Sequence, residues 1–437
     1  MIPNTPIYSG YARVDITPDY AVHLSGYGDD EIRRSEGIRD NIYITCIAVT
    51  SGDETILMYT ADLLSFNADA ANELRTAVFD AVGVEGDHIF VGATHSHSGP
   101  VLYGELPKAP EFRQNVYEAA VEAAKAALDD RAVSKLLTTT KRIPGMNFIR
   151  HYLIADGTYS GSNFGDASPG RVGHAGMSDP RMVLLKFERI NKPDIVIMNW
   201  QAHNDNVREV GYYYISSSYT GHIRAKFEKE TGMHFAYFTG ASGNQNRDSL
   251  IDAEKHGLNY IDYGIRMAEY AAAALPDLKP VEGTKIKTLR VNYEARVDHS
   301  WDHMLPQANE VFELWKSVGK KEGDALGKKY GFTSSYQSRD IRRRAAMGET
   351  IPLELNAFCI GEIGFITGTY EMFSDTGIYV RAYAPFDTVF ICTGNATYVP
   401  SATSYDYRSY EADTTLYEKG TCEKLSREYV RMLESLV

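Results

Sequence analysis

Cysteine is scarce in this sequence, and its four occurrences (Cys46, Cys359, Cys392 and Cys422) lie far apart. None shows Cys-x-x-Cys spacing, which excludes a thiolate zinc site and gives no sign of a disulfide framework. Cys46 and Cys359 fall in apolar, strand-like runs and are expected to be buried small hydrophobes. No hydrophobic run approaches a membrane span. The start, MIPNTPIYSGYARVDITP, has no charged segment leading into an apolar one, so the chain reads as cytoplasmic. Basic charge is short as well. A net charge of −13 with no basic stripe argues against a nucleic-acid binder. The densest basic cluster, Arg339–Arg344 (RDIRRR), is expected on a solvated helix face. There is no internal repeat and no low-complexity segment.

What is present is ordinary soluble-protein composition, 43% hydrophobic and 24% charged over 437 residues, enough to bury a sizeable core. Residues 42–49 and 54–60 flank Ser51-Gly52-Asp53 and read as a hairpin. Helical patterns at 70–82, 112–129, 219–231, 261–274 and 422–436 alternate with strand patterns at 88–93, 133–141, 182–188, 194–200, 235–239, 285–296, 358–366 and 388–392. Residues 156–177 are Gly- and Ser-rich without periodicity and read as a long loop, the kind that often contributes to a site. The stretch 301–346 is charged and helix-like. This alternation predicts an α/β chain with a mixed β-sheet core flanked by helices.

The most informative run is residues 90–100, FVGATHSHSGP. An apolar strand pattern stops at two histidines spaced i, i+2. In an extended segment such residues share a face, so His95 and His97 can reach one point in space. On a helix they would diverge by roughly 200°. Imidazoles at a strand end suit a divalent metal or a catalytic base, because that end opens toward solvent and substrate. At least four strands end on polar or Gly-containing clusters: His95/His97, His203, 242–246 and 395–398. Carboxyl ends of strands are where α/β sheets gather functional groups.

With THSHSGP, NWQAH and YVPSATSYDYRSYEADTT taken together, the chain resembles the neutral/alkaline, non-lysosomal ceramidase family in its short bacterial, catalytic-domain-only form. The resemblance runs from YARVDITP to the last helix. It implies one catalytic domain over residues 1–437, with 301–346 as a helical insertion and no C-terminal β-sandwich. It also implies a zinc-dependent amidase that cleaves an N-acyl bond, its metal held by two histidines, a glutamate and a tyrosine. Carried over residue by residue, these are His95 in THSHSGP, His203 in NWQAH, Glu371 in GTYEMF and Tyr398 in YVPS. His97 would stand beside the metal's ligands, oriented toward the substrate carbonyl. Two imidazoles, a carboxylate and a phenolate form an N/O set suited to Zn2+ with room for water. The metal would lower that water's pKa toward roughly 7.

The chain also departs from the family. Where ceramidases carry a serine in Gly-Asp/Asn-x-Ser-Pro-Asn, this chain reads GASGNQNRD. In the alignment we favour, Asn246 takes the serine's place and cannot be a nucleophile. In the other, Ser242 keeps a hydroxyl but the register slips. The first favours attack by metal-activated water, with Asn246 or Asn244 donating a hydrogen bond to the developing oxyanion. Ser216-Ser217-Ser218 and Asn244 stand where relatives have acidic groups, for which Asp205, Asp62 or Asp248 could compensate. The expectation is a zinc-dependent hydrolase of a small-molecule amide, whether a soluble N-acyl compound, a lipid or an acylated sugar. The alternatives are a non-catalytic ligand-binding protein on a degenerate scaffold, and a metal-dependent isomerase or lyase using His97 as base.

Overall fold

The computed structural model describes residues 5–28, 30–161, 170–251, 258–394 and 397–437. Asn395 and the 162–169 part of the expected long loop lie outside them. Two sheets form the centre. The first takes β1 (Ile7–Asp15), β2 (Tyr43–Ser51), β3 (Glu54–Ala61), β4 (Ile89–Ala93), β5 (Ala132–Arg142), β6 (Arg181–Arg189), β7 (Ile195–Trp200) and β8 (His234–Thr239). Their order is β8-β7-β6-β5-β1-β2-β3-β4. Pairing is parallel at the two ends, β7 with β8 and β3 with β4, and antiparallel between. The second sheet takes β9 (Ile286–Arg296), β10 (Thr350–Ile360), β11 (Ile363–Gly368) and β12 (Thr388–Thr393), with only β11–β12 parallel.

The sheets pack face to face. Met58, Phe90, Ile197 and Phe238 from the first meet Phe358, Phe365 and Phe390 from the second. Phe90 stacks on Phe358 with ring centroids 3.8 Å apart, and Phe358 on Phe365 at 4.3 Å. The outer side of the first sheet is covered by α1 (Ala68–Val82) and α2 (Ala109–Asp129) at one end. At the other end it is covered by α3 (Ser218–Thr231) and α4 (Tyr260–Ala274). Between β9 and β10 come α5 (Leu305–Ser317), α6 (Lys320–Lys329) and α7 (Ser335–Ala345), clustered about Val311, Phe332 and Ile341. The second sheet is covered by α8 (Ser374–Tyr383) and α9 (Thr421–Glu434). The result is a four-layer helix–sheet–sheet–helix arrangement. Burial on both faces explains why β4 and β7 read as continuous apolar runs rather than alternating ones. No described helix is long and apolar enough to cross a membrane.

The first sheet curls until its two ends meet. The Thr60 hydroxyl of β3 donates to the Tyr237 carbonyl of β8 at 2.8 Å, and Thr239 of β8 donates to the Ala93 carbonyl of β4 at 3.0 Å. This closure brings the carboxyl ends of β4, β7 and β8 to one place. Buried Asn199 then joins the two sheets: its Nδ2 donates to the Phe238 and Ile391 carbonyls, and its Oδ1 accepts from the Ile391 N–H and from Arg381.

Three local expectations are corrected. Residues 358–366 are not one strand, because Gly361, at φ +57°, turns the chain between β10 and β11. Within 156–177, Tyr159–Ser160 and Arg171–His174 pair with Tyr152–Ile154 in a small sheet whose short strands carry no readable period. The RDIRRR cluster is not wholly solvated, since Arg344 is fully buried and donates to the Thr415 carbonyl at 2.7 Å. A prediction follows from Asn199. Asn199→Leu keeps the volume but orphans buried groups on both sheets, and should destabilise the fold by about 3 kcal/mol in urea unfolding. A loss below about 1 kcal/mol would show that Asn199 does not join the sheets.

Candidate metal centre

His95 and His97 follow β4, His203 follows β7, and all three are buried. Their Nε2 atoms face one another: 3.3 Å between His95 and His203, 3.4 Å between His95 and His97, and 2.9 Å between His97 and His203. The pleat of a strand is not what brings the first pair together. β4 ends at Ala93, and His95 has φ +60°, the left-handed region that a non-glycine residue seldom occupies. Such backbone conformations persist where surrounding structure enforces them, often at functional sites.

Glu371 and Tyr398 arrive from the second sheet. Glu371 lies just beyond β11, Tyr398 beyond β12, and the two are direct neighbours in a short parallel pairing. Buried Glu371 places Oε2 3.4 Å from His95 Nε2. That oxygen has no hydrogen-bond partner among the described residues. Glu371 thus stands beside His95, with His97 and His203 close by, and Tyr398 neighbours Glu371 in the pairing.

The donor chemistry fits a cation. His95 Nδ1 donates to the Leu64 carbonyl at 3.0 Å and His203 Nδ1 to the Ser242 carbonyl at 3.3 Å. Those bonds fix the tautomer, so both Nε2 atoms carry lone pairs, as in metal-ligating histidines. Burial pushes the His95 pKa down to about 3, and burial holds His97 and His203 well below the usual range too. Protons therefore do not separate the lone pairs at neutral pH. Burial also raises Glu371 well above the ordinary carboxyl range, against the pull of Arg150. Zinc–nitrogen bonds of about 2.0–2.1 Å would put tetrahedral ligand atoms about 3.3 Å apart, close to the observed spacings. Any of the three histidines could offer a ligand atom.

His97 Nδ1 faces the backbone of Gly26, where an added Cβ would come 2.6 Å from it. Downstream of β8, Asn244 is committed: its Oδ1 accepts from the Ser374 N–H at 2.8 Å and its Nδ2 donates to the Ser374 hydroxyl at 3.1 Å. Asn246 bridges to His203 through the backbone, and its buried Oδ1 is unbonded among the described residues. Ser242 is buried with its hydroxyl unbonded, and supports His203 through its carbonyl. Of the three aspartates, Asp62 pairs with Arg224 at 2.9 Å, Asp248 lies near Tyr152, and Asp205 accepts from the Tyr27 hydroxyl.

One site residue was not legible in the sequence. Arg150, buried in the run FIRHYL, stands 5.4 Å from the Tyr398 ring and pairs with Glu411 at 2.5 Å. His151 completes this group, with Nε2 2.7 Å from Glu411 and Nδ1 2.8 Å from the Tyr407 hydroxyl. No spacing rule links residues 150 and 411.

No protein-family profile and no curated protein matches the sequence. Solved structures do. The crystal structure of neutral ceramidase from Pseudomonas aeruginosa superposes with a TM-score of 0.73 at 16% identity, over 99% of this chain and 75% of that one. The chain has the neutral ceramidase fold. A structure of a ceramidase complexed with C2 superposes at a TM-score of 0.72 and 15% identity, again over 99% and 75%. The ceramidase fold therefore spans nearly the whole chain at an identity where sequence matching fails. It bears out the expected mixed-sheet α/β core and the resemblance.

The Arg150–Glu411–His151 group yields a pH prediction. Burial would raise Glu411, but Arg150 and His151 outweigh it and hold the carboxyl down to about 2. A depressed carboxyl stabilises the fold above its unfolded value of about 4.3, and that stabilisation is lost as pH falls toward 2. Glu411→Gln should cost about 3 kcal/mol at pH 7 and flatten the acid loss of stability between about pH 4.3 and 2. Urea midpoints at pH 7 and pH 3 check this.

Proposed function

We propose that this chain is a zinc-dependent amidohydrolase that cleaves a linear N-acyl amide. The observation that supports the reading is the buried cluster of His95, His97 and His203, with a Glu371 carboxyl oxygen 3.4 Å from His95 Nε2. In this reading His95, His203, Glu371 and Tyr398 hold the metal. Zinc, when bound, polarises the scissile carbonyl and lowers the pKa of water.

The chain's own residues do the rest. Burial keeps His97 neutral, and its Nε2, beside those of His95 and His203, accepts the water's proton as the new C–O bond forms. It then passes that proton to the leaving nitrogen as the C–N bond breaks. Asn246, beside His203, donates from its carboxamide to the developing oxyanion. Asn244 holds the Glu371 segment through Ser374. Arg150 fixes positive charge next to Glu371 and Tyr398. Neighbouring charged and hydroxyl groups, Glu411, His151 and Tyr407, suit a polar N-acyl compound or acylated sugar alongside a lipid amide such as ceramide.

The test is elemental analysis with turnover on a panel of N-acyl amides. Wild type should hold about one zinc per chain, and chelation should abolish hydrolysis. His203→Ala and Glu371→Gln should lose the metal. His97→Ala should keep it while kcat falls about 10³-fold. A metal-free wild type that gains no activity with added zinc would overturn the proposal.

A further inference from the structure

His95 and His203 are each oriented by a carbonyl on Nδ1, whereas His97 Nδ1 faces the backbone of Gly26, where an added Cβ would come 2.6 Å from it. Further contacts also set the direction of its ring. The His97 main chain is held at both ends: its N–H donates to the Asn204 carbonyl at 3.3 Å, and its carbonyl accepts from Arg33 Nη1 at 2.8 Å. The Arg33 guanidinium is fully buried and also donates to the Ser25 and Tyr212 carbonyls, at 2.8 and 2.7 Å. It lies 4.9 Å from the Tyr27 ring and 4.8 Å from the Tyr212 ring.

Tyr27 is where these contacts meet. Its ring stands edge-on to the His97 imidazole, centroids 5.2 Å apart at 69°. Its hydroxyl donates to Asp205, two residues after His203. One tyrosine therefore touches the segments that carry two of the three site histidines. Tyr27 is in turn held from outside. The Tyr336 hydroxyl of α7 donates to the Tyr27 carbonyl at 2.6 Å. The Tyr336 ring lies over Gly28, which has φ +71° and where an added Cβ would come 2.7 Å from Cε1. Trp315 of α5 packs at right angles to the same ring.

We infer that Tyr27 is a positioning residue for His97, and that α5–α7 fix Tyr27 through Tyr336, so these helices act on the metal centre. The aromatic edge acts together with the Gly26 backbone in directing the His97 ring. Small displacements of a group that transfers protons cost rate steeply, about 10²-fold for 1 Å. The inference rests on the proposed amidohydrolase reading for its kinetic consequence, and on geometry alone for the positioning.

The experiment uses metal-free, 15N-histidine-labelled full-length protein, with His97→Gln to assign the His97 ring signals. Tyr336→Phe keeps the ring and removes only the hydroxyl on the Tyr27 carbonyl. Tyr27→Leu removes the aromatic edge. Both should shift the His97 signals and leave those of the peripheral His88 in place. On the zinc-loaded enzyme, Tyr336→Phe should lower kcat about tenfold with KM changed less than about twofold and zinc content intact. Unchanged His97 signals in Tyr336→Phe would overturn the inference, whether or not Tyr27→Leu folds. Absence of amide hydrolysis in wild type would sink the proposed function instead, and the metal-free spectra would still decide the positioning.

Discussion

Two imidazole lone pairs held 3.3 Å apart in a buried place repel one another, and a cation bound between them would relieve the repulsion. The arrangement around His95 and His203 enforces that geometry from several sides. Carbonyls of Leu64 and Ser242 hold the protons on the far nitrogens. Burial keeps the rings neutral, and the Glu371 carboxyl, whose Oε2 has no hydrogen-bond partner among the described residues, stands beside His95. A cation reverses each of these costs together. It separates the lone pairs, favours ionised Glu371 and gives its oxygen a partner.

The fold brings these histidines together. His95 follows the strand at one end of the first sheet and His203 the strand next to the other end, and they meet because the sheet curls until Thr60 and Thr239 link β3 and β4 to β8. Glu371 and Tyr398 follow strands of the second sheet, which packs on the first through phenylalanine rings and is joined to it by Asn199. A site shared by two sheets is sensitive to their relative placement. That is a physical reason for a polar link as costly to bury as Asn199 between them.

Much of this was legible in the sequence, and for identifiable reasons. Double-sided burial made the strands before His95 and His203 into unbroken apolar runs, so their ends were easy to find. His95, His203, Glu371 and Tyr398, the residues expected to hold a metal, follow strands, where a pattern stops abruptly and draws attention. What failed depended on contacts distant in sequence or on single backbone angles. The left-handed turn at His95, not the pleat of a strand, brings His97 beside it. Arg150 meets Glu411 across 261 positions, and Tyr27 meets Tyr336 across 309. No local period reports such pairs. Arg344 misled because a run of arginines on a helix reads as surface, while its carbonyl and aspartate partners are brought in by other segments.

The central claim is that His95, His203 and Glu371 share one cation. Diffraction from crystals of the zinc-loaded protein at wavelengths either side of the zinc edge tests it most directly. The account predicts one strong anomalous peak about 2.0–2.2 Å from His95 Nε2, His203 Nε2 and a Glu371 carboxylate oxygen. A peak bound elsewhere, or none between those atoms at full zinc loading, would contradict it.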